Sequence, residues 1–317
     1  MTHLISLKIG VTGGAGYIGS QLVKSLIERN NEVVSIDNLM NSNYSYLRTW
    51  GVSNGVSLLK GDIRDIDSLL RAFEDCDVIA HLAALPGLIK CRERPAEATS
   101  INVYGTYNVL EAARRLGIGK VVFCSTAAVY GKPTEMPVIE NLPLRPLNLY
   151  GVTKLAGERL MDVFSSDYGI ATLSLRFGNV FGIGLFTNYD TVIPKFIRMG
   201  LNGENLTVYG DGSSTRDFVH VEDIAQAVIL ALKSKDKGSD VYNVGGETME
   251  IGVVAKRIIE AIKKSTGEKV GIVNFPPRVG ETKEFSYSLD KIKKGLKYKP
   301  KWNIQQGIEQ IIKFSII

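Results

Sequence analysis

Through the first half of the chain, short apolar and β-branched runs alternate with segments in which apolar residues recur every three or four positions. The runs are LKIGV (7–11), EVVSI (32–36), VSLLK (56–60), DVIAH (77–81), KVVFCS (120–125) and ATLSLRF (171–177). Between them lie IGSQLVKSLIERN, INVYGTYNVLEAARRLG and LYGVTKLAGERLMDVFSSDYG. Continuous apolar runs predict strands buried on both faces, and the three-to-four spacing predicts amphipathic helices. Strand and helix in alternation specify an α/β fold, a doubly wound parallel sheet with helices on both sides.

After about residue 178 the rhythm changes. FGNVFGIGLFTNYD reads as a Gly-rich, aromatic loop, and GENLTVYGDGSSTRDFVHV as two short strands around a turn. The helix VEDIAQAVILAL (221–232) and the strand DVYNVGG (240–246) predict one more βα pair that returns to the first sheet. Helices at about 250–265 and 303–314 complete the chain. The expected division is a nucleotide-binding lobe over 1–178, joined by 221–246, and a smaller mixed α/β substrate lobe drawn mainly from 179–317.

Length supports that division, because 317 residues exceed the ~250–300 at which single cores stop growing. A hydrophobic fraction of 44% with 22% charged residues is that of an ordinary globular protein. The net charge of +5 suits an anionic ligand but asks for neither nucleic acid nor a membrane surface. The basic cluster KIKKGLKYKPK (291–301) reads as a solvated helix end, with no nucleic-acid reading motif. Cys76, Cys91 and Cys124 form no CxxC pair and have few histidines to join them, so neither a disulfide framework nor a metal site is expected. No apolar stretch reaches the ~20 residues of a membrane span, and a cytoplasmic location is expected.

The candidate chemistry lies at strand ends. TGGAGYIGS follows the first strand with Gly13, Gly16 and Gly19 at the opening of a helix. Glycine is needed where the chain turns tightly, where backbone approaches a pyrophosphate, and where helix packs on strand. Asp37 ends the second strand, about 20 residues on, where a carboxylate accepts the hydroxyls of an adenosine ribose and repels the extra phosphate of NADP. This Rossmann pattern points to NAD. In GDIRD, Asp62 and Ile63 are placed to meet an adenine, although Asp62 reads equally well as the N-cap of a helix starting near Asp65. Ser125 and Thr126 end the fifth strand. PLNLYGVTKLAGE then puts Tyr150 and Lys154 four apart on one helical face, with Asn148 as N-cap. An ammonium beside a phenol favours the phenolate, which makes the pair a candidate proton acceptor.

Taken in order, TGGAGYIG, DNLMNS (Asp37, Asn38, Asn41, Ser42), GDIRD, HLAA (81–84), Asn102, STAAVYG, YGVTK, RFGNVFG, GDGSSTRDFVHVEDIA and PPRVGE resemble the extended short-chain dehydrogenases/reductases. Within them, the chain is similar to the NAD-dependent sugar-nucleotide epimerase/dehydratase family. The resemblance implies NAD contacts from Gly13, Gly16, Tyr17, Ile18 and Gly19; from Asp37, Asn38, Asn41 and Ser42; and from Asp62 and Ile63. It implies further contacts from Leu82, Ala83 and Ala84, and from Asn102 and Ser125. It makes Thr126 the hydroxyl on the reacting oxygen, Tyr150 the acid/base and Lys154 the ribose-binding cation that lowers the phenol's pKa. Asn179, Arg216, Arg278 and Glu281 match positions on the nucleotide-sugar side. Two arginines suit a diphosphate because guanidinium groups bind phosphate oxygens bidentately.

Family members that dehydrate or decarboxylate carry acidic side chains just after the hydroxyl, whereas this chain has Ala127 and Ala128. The implied activity is therefore 4-epimerisation: hydride transfer to NAD, a 4-keto sugar that turns in the site, and re-reduction on its other face. UDP-glucose and UDP-galactose lead as substrates, with UDP-glucuronate or UDP-N-acetylglucosamine epimerisation, or 4-keto-sugar reduction, as alternatives. A non-catalytic NAD-sensing protein is the alternative of a different class. Phe285 falls where epimerases set sugar size, and Lys90, Arg92 and Arg94 offer a cationic loop to a uronic acid. Apolar residues on several faces of the helices at 97–117 and 148–165 predict a homodimer.

Overall fold

The structure, a computed structural model, describes residues 7–40, 55–184, 187, 189–277 and 283–316. The strands are β1 (Lys8–Thr12), β2 (Glu32–Asp37), β3 (Val56–Lys60), β4 (Val78–His81), β5 (Lys120–Thr126) and β6 (Ala171–Phe177), then β7 (Asn179–Phe181), β8 (Leu206–Tyr209), β9 (Thr215–His220), β10 (Ser239–Val244), β11 (Glu247–Glu250) and β12 (Ile272–Phe275). The α-helices are α1 (Tyr17–Ile27), α2 (Ile66–Phe73), α3 (Leu88–Glu93), α4 (Pro95–Thr99), α5 (Gly105–Leu116), α6 (Leu149–Tyr168), α7 (Val192–Leu201), α8 (Val221–Lys233), α9 (Ile251–Thr266), α10 (Asp290–Leu296) and α11 (Ile304–Ile316).

Seven strands form one parallel sheet in the order β10-β6-β5-β4-β1-β2-β3. The order reverses between β1 and β4, the topological switch point at which such sheets open a crevice beyond their strand ends. Alternate residues of each strand feed the two faces. Ile9, Val11, Val78, Ala80, Val122 and Cys124 pack on one side with α1 and α8. Val34, Ile36, Ile79, Val121 and Phe123 pack on the other with α2, α5 and α6. Strand β10 pairs with β6 in parallel, so residues 221–246 do supply the sheet with a helix and an edge strand.

A three-stranded sheet (β11-β9-β7) and a two-stranded one (β12-β8) share a third core with α7, α9 and α11. The two short strands expected around a turn are present. β8 and β9 are consecutive but lie in different sheets, because β8 pairs with β12 while β9 pairs with β7 and β11. The segment at 97–117 is also more articulated than a single helix. A π-turn over Ser100–Tyr104 separates α4 from α5. All three cysteines are buried and unpaired. Among the described residues no helix is long and apolar enough to cross a membrane.

Candidate active site

The chain leaves β1 through Gly13 at φ +73° and enters α1 at Tyr17. A Cβ on Gly13 would sit 2.7 Å from the main-chain nitrogen of Ala83, on the end of β4. One on Gly19 would overlap the Gly13 carbonyl oxygen, so this glycine lets the helix close on its own entry loop. Gly16 differs, because among the described residues a Cβ there would meet only the Gly13 oxygen, at 3.3 Å. The space over Gly16 is therefore open. Gly16 is also the N-cap of α1; no side chain caps that end and no acidic residue occupies its first turn. Free N–H groups and the positive end of a helix dipole face the opening, which fits the diphosphate of a dinucleotide.

Asp37 closes the outer side of this loop. Its Oδ2 accepts from the Ala15 N–H at 3.1 Å and its Oδ1 from the Leu39 N–H at 2.9 Å, so the carboxylate braces the glycine turn. The neighbouring Asn38 donates to Asp62 Oδ2 at 3.2 Å. Asp62 is not a helix N-cap: that position is held by Asp65, whose side chain accepts from the Asp67 N–H. Instead Arg64 chelates Asp62, with Nε to Oδ1 at 2.9 Å and Nη2 to Oδ2 at 2.7 Å, and holds its pKa down at about 2. Ile63 is turned inward, 5% exposed, beneath α5. Asn41 and Ser42 lie outside the described residues.

The end of β4 is tied to β1. Leu82 and Ala83 donate their N–H groups to the Thr12 hydroxyl at 3.2 and 3.1 Å, and Ala84 follows half-buried. Asn102, expected at the cofactor, is held from behind by protein groups. It is 1% exposed, and its amide is engaged with Leu85 and Thr153, so it supports the cleft from behind.

The candidate chemistry gathers where β5 meets α6. Asn148 caps α6 as expected, its side chain accepting from the Gly151 N–H at 2.9 Å. The Thr126 side chain lies close enough to the Tyr150 phenol to act on its pKa, and its hydroxyl accepts from the Ala128 N–H at 3.2 Å. The pairing of phenol and ammonium works differently from the sequence expectation. Burial raises the phenol above its ordinary pKa, and the neighbouring Thr126 only partly offsets this. Lys154 is 3% exposed, lies over the Phe123 ring at 4.4 Å, and is pushed down by burial to about 8. In this apolar setting desolvation is the largest influence on both groups.

Ser125 is buried as well. Its hydroxyl donates to Glu158 Oε1 at 2.6 Å, and Glu158 forms a buried bidentate pair with Arg176 at 2.9 and 2.7 Å. Arg176 Nη1 then reaches the Tyr130 hydroxyl at 2.8 Å. Neither Glu158 nor Arg176 is singled out by the sequence motifs. The repeat from Tyr150 to Lys154 to Glu158 at four-residue intervals is the signal that places all three on one face.

Asn179 on β7 donates to the Asp217 carbonyl at 3.3 Å, and Arg216 on β9 donates to the Thr215 carbonyl at 2.7 Å. Tyr17 bridges the lobes by donating to the Gly182 carbonyl at 2.8 Å, and Lys90 approaches Asp190 at 3.9 Å. Phe285 is 7% exposed and packs edge-on against Tyr287 at 5.1 Å. Arg278 and Glu281 lie outside the described residues. No group of three or more His, Cys, Asp or Glu side chains among the described residues is placed to hold a metal ion.

Comparison with known proteins agrees with this geometry. The model of the NAD dependent epimerase/dehydratase family matches residues 9–245. A putative UDP-glucose 4-epimerase of Methanocaldococcus jannaschii is 35% identical over 307 residues, covering 95% of this chain and 96% of that protein. The UDP-glucose 4-epimerase of Thermus thermophilus, solved in complex with NAD, superposes with a TM-score of 0.84 at 33% identity, covering 97% of this chain and 98% of its own. The UDP-N-acetylglucosamine 4-epimerase of Methanobrevibacter ruminantium, solved with UDP-N-acetylmuramic acid, superposes with a TM-score of 0.89 at 31% identity over 98% of both chains.

Proposed function

Because the chain belongs to the NAD dependent epimerase/dehydratase family, we propose that it is a UDP-hexose 4-epimerase interconverting UDP-glucose and UDP-galactose. The observation that carries this reading is Thr126 placed beside the buried Tyr150 phenol, whose pKa it lowers, with Ala127 and Ala128 next in the chain where an eliminating enzyme needs a carboxylate. NAD, when bound, supplies reversible oxidation and reduction at the sugar carbon. The chain's own groups handle the proton. Tyr150 takes it from the sugar hydroxyl and returns it, while Thr126 holds the same oxygen. Because burial keeps the resting phenol protonated, the ammonium of Lys154, present below about pH 8, is the positive charge this chain offers on the same helical face.

Epimerisation also requires the sugar to turn while its nucleotide stays fixed. Asn179 and Arg216, on a separate small sheet, are the groups assigned to that grip, together with Arg278 and Glu281 later in the sequence. Two contacts favour a neutral, unacetylated hexose. Lys90 is already drawn to Asp190, which leaves it less available to a uronate, and the buried Phe285 ring is bulky where an N-acetyl group would need room.

Purified protein incubated separately with UDP-galactose, UDP-N-acetylgalactosamine and UDP-glucuronate, without added NAD, tests the reading. Interconversion of UDP-galactose and UDP-glucose without net NADH release is expected. Turnover of only the uronate or the N-acetyl sugar would replace the substrate, and net consumption of a reduced nicotinamide would replace the reaction. No turnover of any of them, with NAD still bound, would leave a sensing protein.

The same reading includes a homodimer in the cytoplasm. Tyr104, Tyr107 and Tyr168 are 52%, 40% and 53% exposed, and they continue an aromatic row through Phe164 across the π-turn, α5 and α6. Such a row is the kind of surface a two-fold partner covers. Light scattering coupled to size exclusion should give twice the chain mass, and Tyr104→Glu should return it to one.

A further inference from the structure

Behind the cleft runs a buried chain of hydrogen bonds that takes no part in the proton transfer described above. It begins at Thr12, the last residue of β1, whose hydroxyl lies 2.7 Å from His81 Nδ1. His81 Nε2 lies 2.9 Å from the Thr106 hydroxyl, which donates to the Asn102 carbonyl at 2.7 Å. The Asn102 amide then donates to the Thr153 hydroxyl at 3.1 Å, and Thr153 donates to the Tyr150 carbonyl at 2.9 Å. Thr12, His81, Asn102, Thr106 and Thr153 are each 2% exposed or less.

One arrangement of protons satisfies the hydroxyl and ring links. Thr106 and Thr153 give their hydrogens to carbonyl oxygens, so each accepts from its other neighbour. His81 must then donate from Nε2, and its unprotonated Nδ1 accepts from Thr12. The Thr12 oxygen remains free to accept the Leu82 and Ala83 N–H groups, as it does. Burial keeps the imidazole neutral, which this arrangement requires, because a doubly protonated ring has no acceptor for Thr12. The π-turn contributes as well: its extra residue sets Asn102 so that one side chain pins Leu85, just past β4, and Thr153 on α6.

We propose that His81, Thr106, Asn102 and Thr153 are positioning residues forming a relay that fixes the first turn of α6, and with it Tyr150, to the loop that receives the cofactor. Filling the glycine cradle and aligning the phenol thereby become one event. The assignment of Tyr150 rests on the epimerase reading, but the coupling itself is a property of the backbone and is measured separately.

Thr106 provides the test, because valine deletes its hydroxyl at constant shape while serine keeps the hydroxyl and deletes the methyl. Amide hydrogen exchange over residues 149–153 is followed with and without saturating NAD, beside turnover and bound NAD. In the unmodified protein NAD should slow exchange there, and no slowing would overturn the relay. T106V should abolish that slowing and lower kcat about tenfold, the rate equivalent of roughly one hydrogen bond, with KM and NAD content little changed. T106S should restore both. T153V and T153S, read in the same way, cover the case in which T106V does not fold.

An undiminished NAD effect in T106V and T153V would overturn the relay. So would serine variants as defective as the valine ones, since packing would then be the cause. If the unmodified protein epimerises no UDP-sugar, the functional reading fails, while the exchange experiment still decides the relay.

Discussion

Glu158 lies one helical turn beyond Lys154, yet its carboxylate is bound to Arg176 on β6, with Oε2 2.7 Å from Nη2 and both side chains under 5% exposed. A buried pair of this kind is costly to break on one side only, because the remaining charge loses its partner in a low dielectric. Arg176→Met should therefore destabilise the fold by about 3–5 kcal/mol in urea titrations. Adding Glu158→Leu should recover much of that loss. Strict additivity of the two single changes would show that they do not act as a pair.

Lys154 shows a conflict between stability and function. Its folded pKa of about 8 lies below its ordinary 10.5, so the unfolded chain binds the proton more tightly. The stability gained from shedding that proton is present above about pH 10.5 and is lost as pH falls through 8. At pH 7 the ammonium is thus a burden, eased by the Phe123 ring beneath it. Lys154→Met should stabilise the cofactor-free protein at pH 7 by about 1–2 kcal/mol, with the advantage shrinking by pH 10, while removing most turnover. Unfolding curves at the two pH values check the sign.

Tyr150→Phe deletes one hydroxyl and leaves the Thr126 cap on Ala128 in place. Bound NAD should be retained while kcat falls about 10²- to 10⁴-fold, the usual contribution of a positioned acid/base. An unchanged rate would move the proton transfer to another group.

The glycine loop gives a matched pair of substitutions. Gly19→Ala overlaps the Gly13 carbonyl and should cost about 1–3 kcal/mol by overpacking. At Gly16 the only neighbour is 3.3 Å away and φ is −78°, which alanine tolerates. Gly16→Ala should therefore melt close to the parent temperature but bind NAD at least tenfold more weakly. Calorimetry and NAD titration together separate the two glycines.

The large sheet was legible because its strands are apolar on both faces, a pattern that turns and helices do not imitate. β7, β11 and β12 are three or four residues long, too short for any period to register, and their pairing is set by distant partners. Within the site, the Tyr150 and Lys154 spacing was visible because it is local. What surrounds them was not: Phe123 under the ammonium and Cys91 and Cys124 near the phenol come from other elements. The buried position of Lys154 decides its charge, and spacing alone cannot reveal it. Asp62 and Asp65 look alike in GDIRD, and only the guanidinium of Arg64, folded back on Asp62, leaves the cap to Asp65.

The pairing of β10 with β6 has a consequence for how the protein is made. β6 ends at Phe177, but the strand that covers its outer edge is not translated until residue 244. Until then a nascent chain carries an unpaired apolar edge, a template for association with other chains. A fragment stopped at residue 178 should collect in inclusion bodies, whereas one extended to 246 should yield more soluble product. The nucleotide-binding half is thus sealed late, by sequence that emerges from the ribosome only after most of the small lobe's first strands.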